Sequence, residues 1–220
     1  MPGVHGGRVK LWQFYSRNAQ EVVGLVGQHV YLVAISTLTA IVVGVPLGIL
    51  LTRRSGWRPA VLGLANLFQT IPSLALFGFL IPLPLIGGIG ARTAIVALVV
   101  YALLPIVRNT YQGIADVDPA VREAGRGMGM TDWQLLTQVE LPLGFGVILA
   151  GVRVATVVSV GTATIAAAIG AGGLGVYIFR GVAVVDDTLI LAGALPAALM
   201  ALAADGLFGL AERRFARRGR

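Results

Sequence analysis

Residues Asp118 to Pro142 read D-P-A-V-R-E-A-G-R-G-M-G-M-T-D-W-Q-L-L-T-Q-V-E-L-P, the longest mixed-charge interval in a chain otherwise built from apolar runs. A piece of this polarity has to live in water, and two short helices can be read in it. Asp118 is placed to N-cap the first, with Pro119 at the first helical position, where a missing N–H costs nothing. Thr131 and Gln134 form a T-x-x-Q capping box that starts the second. Between them Gly125, Gly127 and Gly129 break the helical run and let another backbone approach. Met128 and Met130 add adaptable apolar contact, so the stretch has the make-up of a docking surface.

The rest of the chain sets the context. Of 220 residues 56% are hydrophobic and only 12% charged, with a mean hydropathy of +0.84, far from the balance of a soluble domain. This is a membrane protein. It has no cysteine, so disulfides and thiolate metal sites are excluded. His5 and His29 lie far from any carboxylate cluster and read as interfacial or disordered positions, not as ligands. The net charge of +7 rests almost wholly on arginine, and five arginines fall in the last eight residues. A tail so short and basic reads as a membrane-surface anchor, not as a nucleic-acid arm.

Residues 1–7 are Gly-rich and read as disordered. From Arg8, the residues Leu11, Trp12, Tyr15, Ala19, Val22, Val23 and Val26 recur at helical spacing, with Arg17, Asn18, Gln20 and Glu21 opposite. This pattern predicts an amphipathic helix on the membrane surface, the alternative being a soluble N-terminal helix. It is no signal peptide, because it lacks an early apolar core and a small-residue cleavage site.

A bilayer core of about 30 Å takes about 20 residues of apolar helix. Five spans result: Val30 to Leu51, about Ala60 to Ile81, Thr93 to Gly113, Leu143 to Ala168 and Leu189 to Leu210. Pro72 falls inside the second, and Pro82, Pro84, Gly87, Gly88 and Gly90 make the turn after it. The fold class is therefore an all-α membrane protein of five transmembrane helices. Residues 1–28 form the disordered start and surface helix, and residues 29–220 the transmembrane domain with its polar loop at 114–142.

Arginine bias sets the orientation. With the central loop inside, the cytoplasmic side holds Arg53, Arg54, Arg58, Arg122, Arg126 and the tail, and the outer loops only Arg92 and Arg180. The N-terminus is then outside and the C-terminus cytoplasmic. Arg8, Lys10 and Arg17 dissent, and would suit a surface helix touching anionic headgroups.

Several chemistries are missing. A P-loop needs a lysine followed by Ser or Thr, but the only lysine, Lys10, precedes Leu11. Neither a Ser/His/Asp set nor paired carboxylates nor a metal-ligand spacing is present, so the chain reads as no enzyme. An ion-coupled transporter keeps acidic residues near the midplane, and only Asp205 lies inside a span. The driving energy must come from a partner.

The central stretch carries a resemblance. Glu123-Ala124-Gly125, three residues, Gly129, nine residues, then Val139-Glu140-Leu141-Pro142 is similar to the E-A-A-x3-G-x9-I-x-L-P loop of ABC importer permease subunits. The departures are Gly125 for the second Ala and Val139 for Ile. The resemblance implies a type I importer permease fold in a bacterial plasma (inner) membrane, with Glu123, Ala124, Gly125, Gly129, Val139, Leu141 and Pro142 seated in a cleft of a separate ABC ATPase subunit. ATP and magnesium would then be bound by that partner, and no cofactor by this chain.

Two further stretches, Gln69-Thr70-Ile71-Pro72-Ser73-Leu74-Ala75 and Gly161-Thr162-Ala163-Thr164-Ile165 running on to Gly170-Ala171-Gly172-Gly173-Leu174-Gly175, resemble permeases for osmoprotectants such as glycine betaine, proline betaine, choline and carnitine. Methionine-type permeases share the plan and remain an alternative, and so does close packing of helices through small residues. Aromatic cages hold quaternary ammonium groups, yet Trp12, Trp57 and Trp133 all fall outside the spans. Tight recognition would then belong to an extracytoplasmic substrate-binding protein, with Gln69, Ser73, Thr162 and Thr164 as polar groups along a weakly interacting path. Five spans are too few to enclose it, which calls for a second permease copy or a paralogue. The rival of another class is a membrane scaffold or sensor, which would need neither the loop nor a path. Finally, Arg153 and Asp205 fall at comparable depth in the fourth and fifth spans and are placed to form an ion pair.

Overall fold

A computed structural model describes residues 5–84 and 86–216. The helices are α1 (His5–Arg17), α2 (Ala19–Arg53), α3 (Arg58–Thr70), α4 (Ser73–Leu80), α5 (Ala91–Ala115), α6 (Pro119–Gly127), α7 (Asp132–Leu135), α8 (Leu141–Ile165), α9 (Gly175–Val184) and α10 (Asp187–Ala216). Four helical runs among the described residues are long and apolar enough to cross a membrane, and the α3–α4 pair supplies a fifth crossing if its halves act as one.

α5 is the centre of the bundle. It packs between α2 and α8, with α3 and α4 against its remaining side. Backbones approach closely because glycine sits where they cross: a Cβ on Gly48 of α2 would lie 2.6 Å from the Cβ of Thr110, and one on Gly144 of α8 would lie 2.6 Å from the carbonyl oxygen of Gly113. Membrane helices gain no hydrophobic drive from lipid, so such van der Waals approach is what holds them. The buried stripe of α2 runs Leu32/Val33, Ser36/Thr37, Ala40, Gly44, Gly48 and Leu51, a helical repeat facing α5 and α8.

The N-terminal region differs from the sequence expectation. The break falls at Asn18, so residues 19–28, expected within a surface helix, continue into the first span as a single 35-residue helix. α1 is not loose on a surface: Leu11, Phe14 and Tyr15 pack with Tyr177 and Ala192, and the Tyr15 hydroxyl donates to the Ala192 carbonyl at 3.2 Å. His5–Gly7, expected to be disordered, open α1, and the same expectation for residues 1–4 lies outside the described residues. Of the basic tail, Arg217, Arg218 and Arg220 also lie outside them.

The second span is not one continuous helix. α3 and α4 meet at a bend of 103°. Pro72 removes an N–H and pushes the preceding residue out of the helical region, and Ile71 is accordingly extended at φ −72°, ψ 126°. The freed Ile71 carbonyl accepts the Tyr101 hydroxyl of α5, and Gln69 Nε2 donates to the Tyr101 carbonyl at 3.0 Å. The segment bearing Arg180 is also structured, as α9.

Candidate functional site

The mixed-charge loop sits where α2, α5 and α10 end and α8 begins. Its local structure follows from its capping residues. The Asp118 carboxylate accepts the Ala120 N–H at 2.8 Å, with Pro119 opening α6. Thr131 and Gln134 make the reciprocal capping box, Thr131 N donating to Gln134 Oε1 at 2.9 Å and Gln134 N to Thr131 Oγ1 at 3.3 Å. α6 ends in a Schellman motif: Met130 N donates to the Gly125 carbonyl at 3.1 Å and Gly129 N to that of Arg126 at 2.9 Å. The motif needs a left-handed residue, and Gly129 supplies it at φ +82°.

Gly125, which stands where the resembled motif has alanine, is buried, and a Cβ there would come within 2.8 Å of Leu135 Cδ1. The two short helices therefore close on each other through this missing methyl. Val121, Met128 and Trp133 stay outside, Met128 at 77% and Trp133 at 71% exposure, beside the exposed Glu123 and Ala124. Val139 and Leu141 are half-buried and Pro142 is exposed. A capped loop thus presents an apolar ridge to its surroundings, with exposed charges at Asp118, Glu123, Arg126 and Asp132.

One residue of the loop was read in the sequence only as a spacer. Glu140 is fully buried, the last residue of a π-helical turn (Leu136–Glu140) that leads into α8. Arg53 Nη2 reaches its Oε2 at 2.5 Å, and Arg122 Nε its Oε1 at 3.1 Å. The usable signal was a carboxylate at the edge of an apolar run, which must find a cation.

At the other end of the bundle the Gly-rich segment 170–175 is clamped by α2. Gln28 Oε1 accepts the Gly173 N–H at 3.0 Å, and His29 Nδ1 accepts that of Leu174 at 3.3 Å. His29 Nε2 then carries the ring proton and donates to the Val160 carbonyl at 3.1 Å. His29, read as interfacial or disordered, is instead fully buried.

Gln69 and Ser73 flank the α3–α4 bend. Thr162 and Thr164 lie in the last turn of α8, where the Thr164 hydroxyl donates to the Gly161 carbonyl at 2.7 Å. α4 and the end of α8 share one apolar cluster through Leu76, Phe77, Val160 and Ala163, which brings the two pairs to neighbouring elements without a hydrogen bond between them among the described residues. None of the four lines the cavity of about 340 Å³ between α2, α8 and α10. Apolar walls with only Thr37 and Thr156 for polar groups give that cavity little to hold a charged solute.

The Arg153–Asp205 pair is present and two-pronged: Nε to Oδ1 at 2.6 Å and Nη2 to Oδ2 at 2.7 Å. Glu212, not anticipated, adds a third bond from Arg153 Nη1 at 3.1 Å. The cluster ties α8 to α10 near the loop end of the bundle.

Comparison with known proteins places this architecture. The family model described as "Binding-protein-dependent transport system inner membrane component" matches residues 44–217. The chain is 48% identical to an osmoprotectant import permease protein of Salmonella typhimurium over 86% of this chain and 89% of that protein. It is 41% identical to a glycine betaine/carnitine/choline transport system permease protein of Bacillus subtilis, over 96% and 95% of the two chains. A choline transport system permease protein of the same organism is 45% identical over 93% and 89%. Among solved structures, the inward-facing MetNI methionine ABC transporter superposes with a TM-score of 0.81 at 24% identity, covering 90% of this chain and 98% of that one. An amino acid ABC transporter crystallised with histidines gives 0.72 at 21% identity over 92% and 97%. Both share the all-helical plan derived above, and the chain belongs to the family of binding-protein-dependent transport system inner membrane components, the multi-pass permease subunits of ABC importers.

Proposed function

We propose that this permease subunit forms, with a second copy or a paralogue, the path for a small quaternary-amine osmoprotectant such as glycine betaine, choline or carnitine. The observation that carries the substrate class is identity of 41–48% along nearly the whole chain to permeases named for those solutes. Membership of the family brings an ATPase subunit and a substrate-binding protein as partners. The loop at 114–142 docks on the ATPase, which holds ATP and magnesium, while the binding protein delivers solute from outside.

The exposed ridge of Met128 and Trp133 beside Glu123 and Ala124 supports the docking reading, because a rigid apolar surface on a water-facing loop is made to be covered. Gly125, Gly129, Val139, Leu141 and Pro142 hold that surface in shape. Arginine bias supports a cytoplasmic loop and C-terminus and an outer N-terminus. Gln69, Ser73, Thr162 and Thr164 are the polar groups offered to the solute in passing. Closure of the ATPase pair, pushing on two such loops, alternates access to the path.

The test is reconstitution of the chain with its ATPase and binding protein in liposomes and measurement of ATP-dependent uptake across glycine betaine, choline, carnitine and methionine. Uptake of one or more quaternary amines without methionine is expected. Uptake of methionine alone contradicts the substrate assignment, and full uptake by Glu123→Arg contradicts the docking assignment.

A further inference from the structure

The buried carboxylate of Glu140 serves neither the apolar closure of α6 on α7, which Gly125 and Leu135 supply, nor the exposed ridge. Its partners come from two separate elements. Arg53 is the last residue of α2, binding Oε2 at 2.5 Å and Oε1 at 3.4 Å. Arg122 belongs to α6 and binds Oε1 at 3.1 Å. Arg122 also donates through Nη2 to the Ile114 carbonyl in the last turn of α5. One carboxylate at the entry to α8 therefore ties together the ends of α2 and α5 and the first loop helix.

Two features make this more than an anchor. The π-helical turn Leu136–Glu140 interrupts the register between α7 and α8, a device that re-aims a side chain and recurs at functional sites. The loop also reaches its neighbours unequally. It is continuous with α8 through the helical run Asp132–Ile169 and joins α5 through Asp116 and Val117. Residues 54–118 separate the end of α2 from the loop's first helix, and among the described residues Glu140 with its arginines is the ionic link between them.

We infer that Glu140 is a positioning residue that carries α2 along with the loop, so that a push on α6 and α7 moves α2, α5 and α8 as one block. The inference rests on the proposed docking of this loop on an ATPase. Without the carboxylate α2 would follow the loop only through its packing on α5, and part of each stroke would be lost.

The test uses the full importer in liposomes and reads solute taken up per ATP hydrolysed. Glu140→Gln and Arg53→Gln should each leave the subunits co-purifying and lower that ratio about tenfold, within the range that single residues of a coupled network reach. Glu140→Asp should restore part of it. Because the chain has no cysteine, Arg53→Cys with Glu140→Cys can be bridged by a bifunctional thiol reagent, and the covalent tie should restore most of the ratio. An unchanged ratio in both glutamine variants overturns the inference, as does a bridge that stops uptake, since the α2 end and the loop would then have to separate. If Glu140→Gln fails to assemble while Arg53→Gln keeps the native ratio, the role is structural only and the inference falls. Failure of the docking reading looks different: Glu123→Arg and Gly129→Trp would then transport fully, whatever happens at Glu140.

Discussion

The two ends of the bundle are ordered by opposite means. At the loop end, order comes from charge and capping: Asp118 on a helix N-terminus, the Thr131/Gln134 box, and Glu140 between two arginines. At the far end the Gly-rich turn is held by neutral groups, Gln28 and His29 receiving the N–H groups of a turn whose Gly170, Gly172 and Gly173 all have positive φ, while charge stays at its margin in the exposed Arg180–Glu21 pair and the Asp186 cap of α10. Charge is affordable where arginines keep a quarter to a third of their surface in water, but the Gly-rich turn is held by an uncharged imidazole that is fully buried. The loop end is thus held by long-range ionic ties around a buried carboxylate, and the Gly-rich turn by neutral, close-packed groups.

The largest effect on this contrast is expected from Glu140→Ala. Removing one member of a buried ionic cluster strands the others, and a loss of about 3 kcal/mol is expected, the low end of the usual range because both arginines are part-exposed. Thermal unfolding of the purified subunit in detergent reads it directly, and a change under about 1 kcal/mol would show that the arginines find other partners.

His29→Leu comes next. It leaves the Leu174 N–H and the Val160 carbonyl without their recorded partner, which costs about 1–3 kcal/mol for a buried polar group. His29→Gln, which keeps a donor and an acceptor, should lose less. Equal losses in the two variants would mean that ring volume matters here more than hydrogen bonding.

What the sequence made legible follows the same division. Asp118, Pro119, Thr131 and Gln134 act on backbone groups two or three residues away, so their spacing alone places both loop helices. The long apolar runs likewise mark the spans, because a bilayer demands length and hydropathy and little else. Arg153 and Asp205 could be paired because antiparallel neighbours at equal depth leave a charge few choices. Tertiary choices were out of reach. Pro72 inside an apolar run is compatible with a kink or a break, and the Tyr101 hydroxyl that settles the break is 30 residues away. Glu140 and His29 looked unremarkable because Arg53 and Val160 lie 87 and 131 residues from them, although Arg122 lies in the same stretch as Glu140.

A smaller loss is expected from Asp118→Ala, about 1 kcal/mol for one N-cap. Protease nicking of α6 should speed up while the spans stay intact. An unchanged nicking rate would mean that Pro119 and the Arg122–Glu140 tie already fix α6.

The smallest effect on folding is expected at Arg153 and Asp205, whose side chains stay 32% and 45% exposed. Exposed pairs contribute little on their own. Arg153→Met with Asp205→Leu should still lose less than the two single losses added together. Strict additivity would show that Glu212, which also binds Arg153, takes over when Asp205 is gone.

The most direct test of the account is a contact map of the loop in the assembled importer. Since the chain has no cysteine, single cysteines at Met128, Trp133 and Val184 can each carry a photo-crosslinker, with the captured subunit identified by mass spectrometry. Met128 and Trp133 should capture the ATPase subunit, and Val184, in the last turn of α9 at the other end of the bundle, should not. Capture of the ATPase from Val184, with none from Met128 or Trp133, would contradict both the docking role of the loop and the orientation of the chain.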